Sequence, residues 1–357
     1  MKLSEYKTKR MIFNGNTAMA EGAIIGGCRF YAGYPITPQN EVSEYMSYRM
    51  EEVGGTFIQS ESEIAAINMV LGASAGGARA MTSSSSPGIS LMQEGISYIA
   101  GCELPAVIAN VVRGGPGLGG IGPAQSDYFQ SVKGGGHGDY WTIVFAASTV
   151  QELMNFTIEA FDIADRYRNP VLILSDGLIG QMVETVDVPI NYAPTLQEKP
   201  WALTGCKNRQ PNEIKSLYLD PYDLEKHNLH LKEKYGTISK NERRYESFFT
   251  DGADVLIVAY GSVARICKSV VEYYRNETSY RVGLFRPITL FPFPEMELKI
   301  ASKNAKIIWV IEMSLGQMVE DIQRILGNNI PIHFFGRTGG VFISPKDIRE
   351  EIAKKLK

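Results

Sequence analysis

Three segments of this 357-residue sequence combine residue types and spacings that can do chemistry. The first, GYPITP, runs from Gly33 to Pro38, directly after the apolar run CRFYA. Pro35 and Pro38 each fix their own φ and push Tyr34 and Thr37 into extended geometry. The spacing predicts Thr37 as a helix N-cap with Pro38 at the first helical position. Asn40 follows where a capping box would have Glu or Gln, so the box is incomplete. Structurally such a turn starts a helix. Chemically it holds a hydroxyl where free N–H groups and the helix dipole favour a carboxylate or phosphate.

The second segment, IQSESEIAAINMVLGASAGG, sets Glu63 at the start of an otherwise apolar, small-residue helix. Glu61 and Glu63 cannot face the same way on one helical turn, so at most one points inward. An acidic first turn complementing the dipole is one reading. The other is a semi-buried carboxyl, its protonated form favoured by desolvation, sharing a proton with a ring nitrogen of a bound heterocycle.

The third segment, RGGPGLGGIGP, opens on Arg113 at the end of the apolar run PAVIANVV. Its glycines permit close backbone approach, and an arginine at a strand end can grip a carboxylate bidentately. A flexible lid is the plainer reading. Gly115, Gly117 and Gly120 also satisfy G-x-G-x-x-G, which raises a nicotinamide dehydrogenase as a rival. A dinucleotide fingerprint must run straight into a helix and belongs to the first βα turn, whereas Gly122-Pro123 follows here, late in the series.

Weaker signals surround these. TSSSSPGIS ends a run with four serines before Pro87, where Ser86 reads as a helix cap and the other hydroxyls can line a polar ligand. His137, in KGGGHGDY, reads as a loop histidine worth testing as a base, and SDG at Ser175–Gly177 reads as a turn.

The elements that must position these groups alternate. A helix capped by Asn16 runs to about Gly26; CRFYA, TFIQ, ARAMT, PAVIANVV, WTIVFAA and PVLILSD are short apolar runs, each separated from the next by a helical pattern. Such alternation builds a parallel sheet wrapped by helices on both faces, whose ligands bind at the carboxyl ends of the strands. All the segments singled out above lie just after apolar runs. From Val188 to about Thr250 prolines and charges dominate, as in DLEKHNLHLKEKYG. A second α/β series follows, from DVLIVAYGS to IPIHFFGR. The expected division is 1–188, a connector 189–250, and 251–357.

Composition narrows the class. Apolar residues make up 44% and charged residues 21%, an ordinary globular balance. With 36 basic against 39 acidic side chains there is no positive field for nucleic acid. No run approaches the roughly 18 apolar residues of a membrane span, nor does a long apolar stretch follow MKLSEYKTKR, so a cytoplasmic protein is expected. Cys28, Cys102, Cys206 and Cys267 are scattered, which leaves no zinc or iron-sulfur nest in one loop. Each reads as a small buried hydrophobe, and any electron carrier must sit on another chain.

Taken together, GYPITP, QSESE, SSSSPGISLMQEGISY, RGGPGLGG and GGGHGDY resemble the α subunit of 2-oxoacid:ferredoxin oxidoreductases, over most of the chain. SSSSPGISLMQEGISY and PAQSDYF look most like the branched-chain type, which oxidises 3-methyl-2-oxobutanoate; the 2-oxoglutarate type more usually has SGPG in place of SSPG. The resemblance implies a pyrimidine-type thiamine-diphosphate-binding parallel-sheet domain followed by a transketolase-like C-terminal α/β domain. It implies that Thr37 hydrogen-bonds the 2-oxoacid, that Arg113 faces its carboxylate, that Glu63 contacts N1′ of thiamine diphosphate, and that Pro35 lies near the aminopyrimidine ring. Thiamine enzymes usually hold the diphosphate through Mg2+ with a GDG motif, and none occurs here. The implied β subunit therefore holds Mg2+ and the diphosphate, while γ and ferredoxin-like δ subunits carry iron-sulfur chemistry toward ferredoxin, with coenzyme A as co-substrate. On this reading the chain is half an active site.

Overall fold

The computed structural model describes residues 5–355. In chain order come β1 (Thr8–Asn14), α1 (Gly15–Ile25), β2 (Phe30–Gly33), α2 (Asn40–Glu52), β3 (Thr56–Gln59), α3 (Glu63–Ala75), β4 (Ala80–Ser84), α4 (Ser86–Gly101) and β5 (Ala106–Val112). The short α5 (Tyr128–Val132), β6 (Ile143–Ala146), α6 (Val150–Tyr167), β7 (Pro170–Asp176), α7 (Gly177–Gln181) and β8 (Val183–Pro189) complete the first series. Then follow α8 (Pro221–Asn241), β9 (Tyr245–Phe248), β10 (Val255–Val258), α9 (Gly261–Glu277), β11 (Val282–Pro287) and β12 (Thr289–Phe291). The last elements are α10 (Glu295–Ala301), β13 (Ile307–Glu312), α11 (Met318–Leu326), β14 (Ile332–Gly336) and α12 (Pro345–Ala353).

A seven-stranded sheet in the order β12-β6-β7-β5-β4-β2-β3 forms the main body, parallel except for β12. Its inner strands β5 and β7 are buried at every residue, as continuous apolar runs covered on both faces must be. Helices α1 and α6 cross closely at Gly22, where a Cβ would come within 2.6 Å of the Met154 carbonyl oxygen. A second, five-stranded sheet runs β14-β13-β10-β11-β9, with only β9 antiparallel. β1 and β8 make a two-stranded ribbon apart from both.

Several local expectations are revised. Asn14, not Asn16, caps α1, its side chain accepting from Thr17 N; Asn16 is buried within the first turn. Residues 189–250 include the 21-residue helix α8, which buries Leu231, Tyr235 and Ile238 and turns its charges outward. Three buried positions in so polar a helix leave little apolar period to detect. Cys28 and Cys267 are buried as expected, but Cys102 is half-buried and Cys206 exposed.

The two sheets are closely joined. β12 leaves the C-terminal half to pair with β6 at the edge of the first sheet. Arg286 on β11 is buried between Glu152 of α6 and Glu246 of β9, and also donates to the Ala146 carbonyl. Among the described residues no helix is long and apolar enough to cross a membrane.

Candidate active site

Strands β3, β2, β4 and β5 are consecutive neighbours and parallel, so their carboxyl ends form one rim. Glu63 follows β3, the GYPITP turn follows β2, the serine run ends β4, and Arg113 follows β5. Four segments far apart in sequence thus meet because of strand order, at the edge where open α/β sheets bind ligands.

The GYPITP turn is held from behind by its own carbonyl groups. Arg113 Nη1 donates to the Thr37 carbonyl at 2.9 Å, and Asn16 Nδ2 and Gln181 Nε2 donate to that of Pro38 at 2.7 and 3.0 Å. Below it, Tyr31 Oη lies 2.6 Å from Ser83 Oγ, and Ser83 Oγ donates to Gln39 Oε1 at 2.6 Å. Burial pushes the Tyr31 phenol up to about 12, so it stays neutral and keeps its proton for this chain.

Thr37 is not the helix cap. α2 begins at Asn40, with Gln39 at the cap position and no side-chain cap bond. The carbonyls of Thr37 and Pro38 are committed to Arg113, Asn16 and Gln181, which anchors the turn to β5, α1 and α7 before the helix starts. The Thr37 and Pro35 side chains are left exposed on the rim, with only a long 3.5 Å contact from Asn40 Nδ2 to the threonine hydroxyl.

Arg113 is only 7% exposed. Besides Thr37 it donates from Nη2 to the Leu118 carbonyl at 3.1 Å, while Nε is buried without a partner among the described residues. A guanidinium has five N–H groups, so donors remain for a carboxylate. The glycine loop behind it is closed on itself, Gly120 N donating to Gly114 O and Gly114 N to Gly122 O. Five residues separate Gly122 from α5, which excludes the strand–loop–helix geometry of a dinucleotide fingerprint.

Glu63 is the first residue of α3, behind the cap Ser62, and is 5% exposed. Among the described residues none donates a hydrogen bond to its carboxylate. The wall opposite is Gly88 of α4, where a Cβ would lie 2.4 Å from Glu63 Oε1 and 2.0 Å from Ser84 Oγ. Ser84 Oγ and Ser85 Oγ are themselves buried without partners among the described residues. Buried polar groups are ordinarily satisfied, so these orphaned hydroxyls beside the Glu63 carboxylate mark a place for a polar ligand. This donor and acceptor set fits an aminopyrimidine ring.

Ser86 does not cap α4; Ser85 takes that position, and Ser86 Oγ instead accepts from Arg113 N at 3.1 Å. Asp127, to which the sequence reading gave no role, joins the cluster: Asn110 Nδ2 donates to it at 2.9 Å, and burial raises its carboxyl above the usual range. The signal was present in the QSD directly after the glycine loop. Asp176 of SDG caps α7, accepting from Leu178 N, Ile179 N and Ser262 Oγ. His137 stands apart: its carbonyl accepts from Ser97, nine residues beyond Gly88 and therefore about 14 Å further along α4.

Known proteins resemble this chain in sequence and in fold. Residues 21–246 match the family described as pyruvate flavodoxin/ferredoxin oxidoreductase, thiamine diphosphate-binding, and residues 253–348 match pyruvate:ferredoxin oxidoreductase core domain II. The chain is 48% identical to ketoisovalerate oxidoreductase subunit VorB of Methanothermobacter thermautotrophicus over 95% of its own length and 96% of that protein. It is 34% identical to 2-oxoglutarate synthase subunit KorA of Methanothermobacter marburgensis, covering 97% and 99% of the two chains. Among solved structures, 2-oxoglutarate:ferredoxin oxidoreductase from Magnetococcus marinus, with 2-oxoglutarate, coenzyme A and succinyl-CoA bound, superposes with a TM-score of 0.89 at 27% identity. That match covers 98% of this chain but 66% of the longer one. A split-gene transketolase shares the fold, at a TM-score of 0.58 and 14% identity. The chain belongs to the 2-oxoacid:ferredoxin oxidoreductase family.

Proposed function

We propose that this chain is the α subunit of a branched-chain 2-oxoacid:ferredoxin oxidoreductase, which converts 3-methyl-2-oxobutanoate and coenzyme A to the acyl-CoA and CO2 while reducing ferredoxin. The observation that carries this reading is Glu63, 5% exposed and with no hydrogen bond to its carboxylate from the described residues, on the same rim as Arg113 and Thr37. When bound, thiamine diphosphate supplies the electron sink for decarboxylation. Glu63 holds a proton against N1′ of the pyrimidine, with Pro35 beside the ring. Arg113 binds the substrate carboxylate through its remaining donors, and the Thr37 hydroxyl donates to the 2-oxo group.

Substrate choice follows from the loop beside Arg113. Leu118 and Ile121 are 84% and 66% exposed there, and no basic residue occurs from Gly114 to Val132. An isopropyl side chain suits that surface. The 2-oxoglutarate alternative, kept in view by the KorA relatives, calls for a second cation that this loop does not supply.

Residues 1–188 form the pyrimidine-type domain, 189–250 the connector and 251–357 the transketolase-like unit in this reading. Mg2+ and the diphosphate belong to a β subunit, and the iron-sulfur clusters to γ and ferredoxin-like δ subunits in the cytoplasm. The test is an assay of the co-purified complex with ferredoxin, coenzyme A and several 2-oxoacids. The expected result is turnover of 3-methyl-2-oxobutanoate well above 2-oxoglutarate, and none from the isolated chain. Turnover by the isolated chain, or preference for the dicarboxylate, overturns it.

A further inference from the structure

The segment that follows the glycine loop is gripped by the C-terminal unit to an unusual degree at one residue. Gln125 is 3% exposed, and both its backbone and its side chain are used across the boundary. Its backbone N donates to the Met313 carbonyl at 2.8 Å, and Met313 N donates back to Gln125 Oε1 at 3.0 Å. Gln125 Nε2 donates to the Tyr260 carbonyl at 2.9 Å, and Tyr260 Oη donates to the Gln125 carbonyl at 3.1 Å. Met313 follows β13 and Tyr260 caps α9, so two elements of the second unit close on this one residue. Close by, Gln317 Nε2 donates to Ser126 O at 2.7 Å and Gln317 Oε1 accepts from Phe129 N at 2.8 Å.

Two residues before Gln125, Pro123 forms a β-bridge with Arg113, and Gly122 O accepts from Gly114 N. Two residues after it, Asp127 accepts from Asn110 of β5, the strand directly before Arg113. The glycine loop is further seated on the second unit at Gly340, where a Cβ would lie 3.0 Å from Gly122 Cα. The backbone that carries Arg113 is therefore held at its far end by groups that never touch the site.

We infer that Gln125 is a positioning residue: through its four bonds to Met313 and Tyr260, the C-terminal unit sets the height of the Arg113 guanidinium over the rim, and with it the affinity for the 2-oxoacid carboxylate. This rests on the assignment of Arg113 to that carboxylate. Loss of the clamp shifts a donor whose alignment matters for binding, while Glu63, mounted on α3, keeps its place.

The test is a double-mutant cycle in the assembled enzyme, with Gln125→Ala, Arg113→Ala and the pair. Gln125→Ala should raise KM for 3-methyl-2-oxobutanoate about tenfold, with kcat and the KM for coenzyme A each within about twofold, and should add little in the Arg113→Ala background. Equal losses with and without Arg113, or a loss in kcat alone, overturn the proposal. If Arg113→Ala raises KM and Gln125→Ala does not, only the Gln125 assignment falls. An Arg113→Ala enzyme with unchanged KM removes the carboxylate assignment and this inference together. Should Gln125→Ala fail to assemble, Tyr260→Phe deletes one of the four bonds while keeping the ring. It should raise the same KM about two- to threefold, and an unchanged KM counts against the clamp.

Discussion

Arg113 Nη1 lies 2.9 Å from the carbonyl oxygen of Thr37, and this one bond ties the end of β5 to the turn after β2 across the intervening strand β4. The two residues proposed to meet the 2-oxoacid are thereby held at a fixed distance before any substrate arrives. Such preorganisation lowers the cost of aligning the substrate at the moment of reaction.

Thr37→Val keeps the shape of an exposed side chain whose hydroxyl has, among the described residues, only the long Asn40 contact. The Thr37 carbonyl, which Arg113 uses, is untouched. KM for 3-methyl-2-oxobutanoate should rise about three- to tenfold, the value of one hydrogen bond, with Tm within about 2 °C of the parent. Steady-state kinetics beside a thermal scan of the complex checks both.

Glu63→Gln retains size and packing, and no hydrogen bond from the described residues is lost. It removes the group proposed to hold the pyrimidine proton. We expect kcat to fall about 100-fold or more in the reconstituted enzyme, the usual scale of acid–base catalysis. A rate within twofold of the parent would leave the carboxylate no catalytic part.

Gly88→Ala places a methyl 2.4 Å from Glu63 Oε1 and 2.0 Å from Ser84 Oγ. These and Glu63 Cγ, 2.7 Å away, are all side-chain atoms, so the helix can form while the carboxylate is displaced. Thiamine diphosphate should bind at least tenfold more weakly to the assembled complex, measured by titration of the apoenzyme, with far-UV circular dichroism unchanged.

Asp176 provides the pH test. Burial raises its folded-state pKa, partly opposed by the bonds from Ser262, Leu178 and Ile179. A carboxyl whose folded pKa lies above its unfolded value contributes stability fully below the unfolded value, and that part is lost as pH rises through the folded one. Asp176→Asn still offers an oxygen to the two backbone N–H groups, and the Ser262 hydroxyl can turn to accept. The variant should match or exceed the parent in Tm at pH 7 and lose that margin below about pH 4, as melting curves across pH would reveal.

The central sheet was legible because its strands are short apolar runs such as PAVIANVV and PVLILSD, with little competing period. The candidate site was legible for the same reason: in a parallel sheet, whatever follows each strand lies on one edge. Thr37 was placed correctly on that edge, yet its role as a cap was misjudged. Local capping rules could not register that Arg113, Asn16 and Gln181 would take the carbonyls at the start of the turn. Asp127 and Gln125 were missed because their partners lie in other elements, Asn110 on β5 and Met313 and Tyr260 in the second unit. α8 escaped because three inward-facing residues carry it and the rest are polar.

The short strand β12 has a further consequence for synthesis of the chain. β6 is complete at Ala146, but its outer edge is covered by Ile288–Phe291, more than a hundred residues later. While the ribosome makes the intervening stretch, unpaired N–H and C=O groups remain on the nascent sheet, the kind of edge through which chains pair wrongly with one another. Ribosome-bound chains halted before Thr289 should therefore be more prone to aggregate than those halted beyond Phe291.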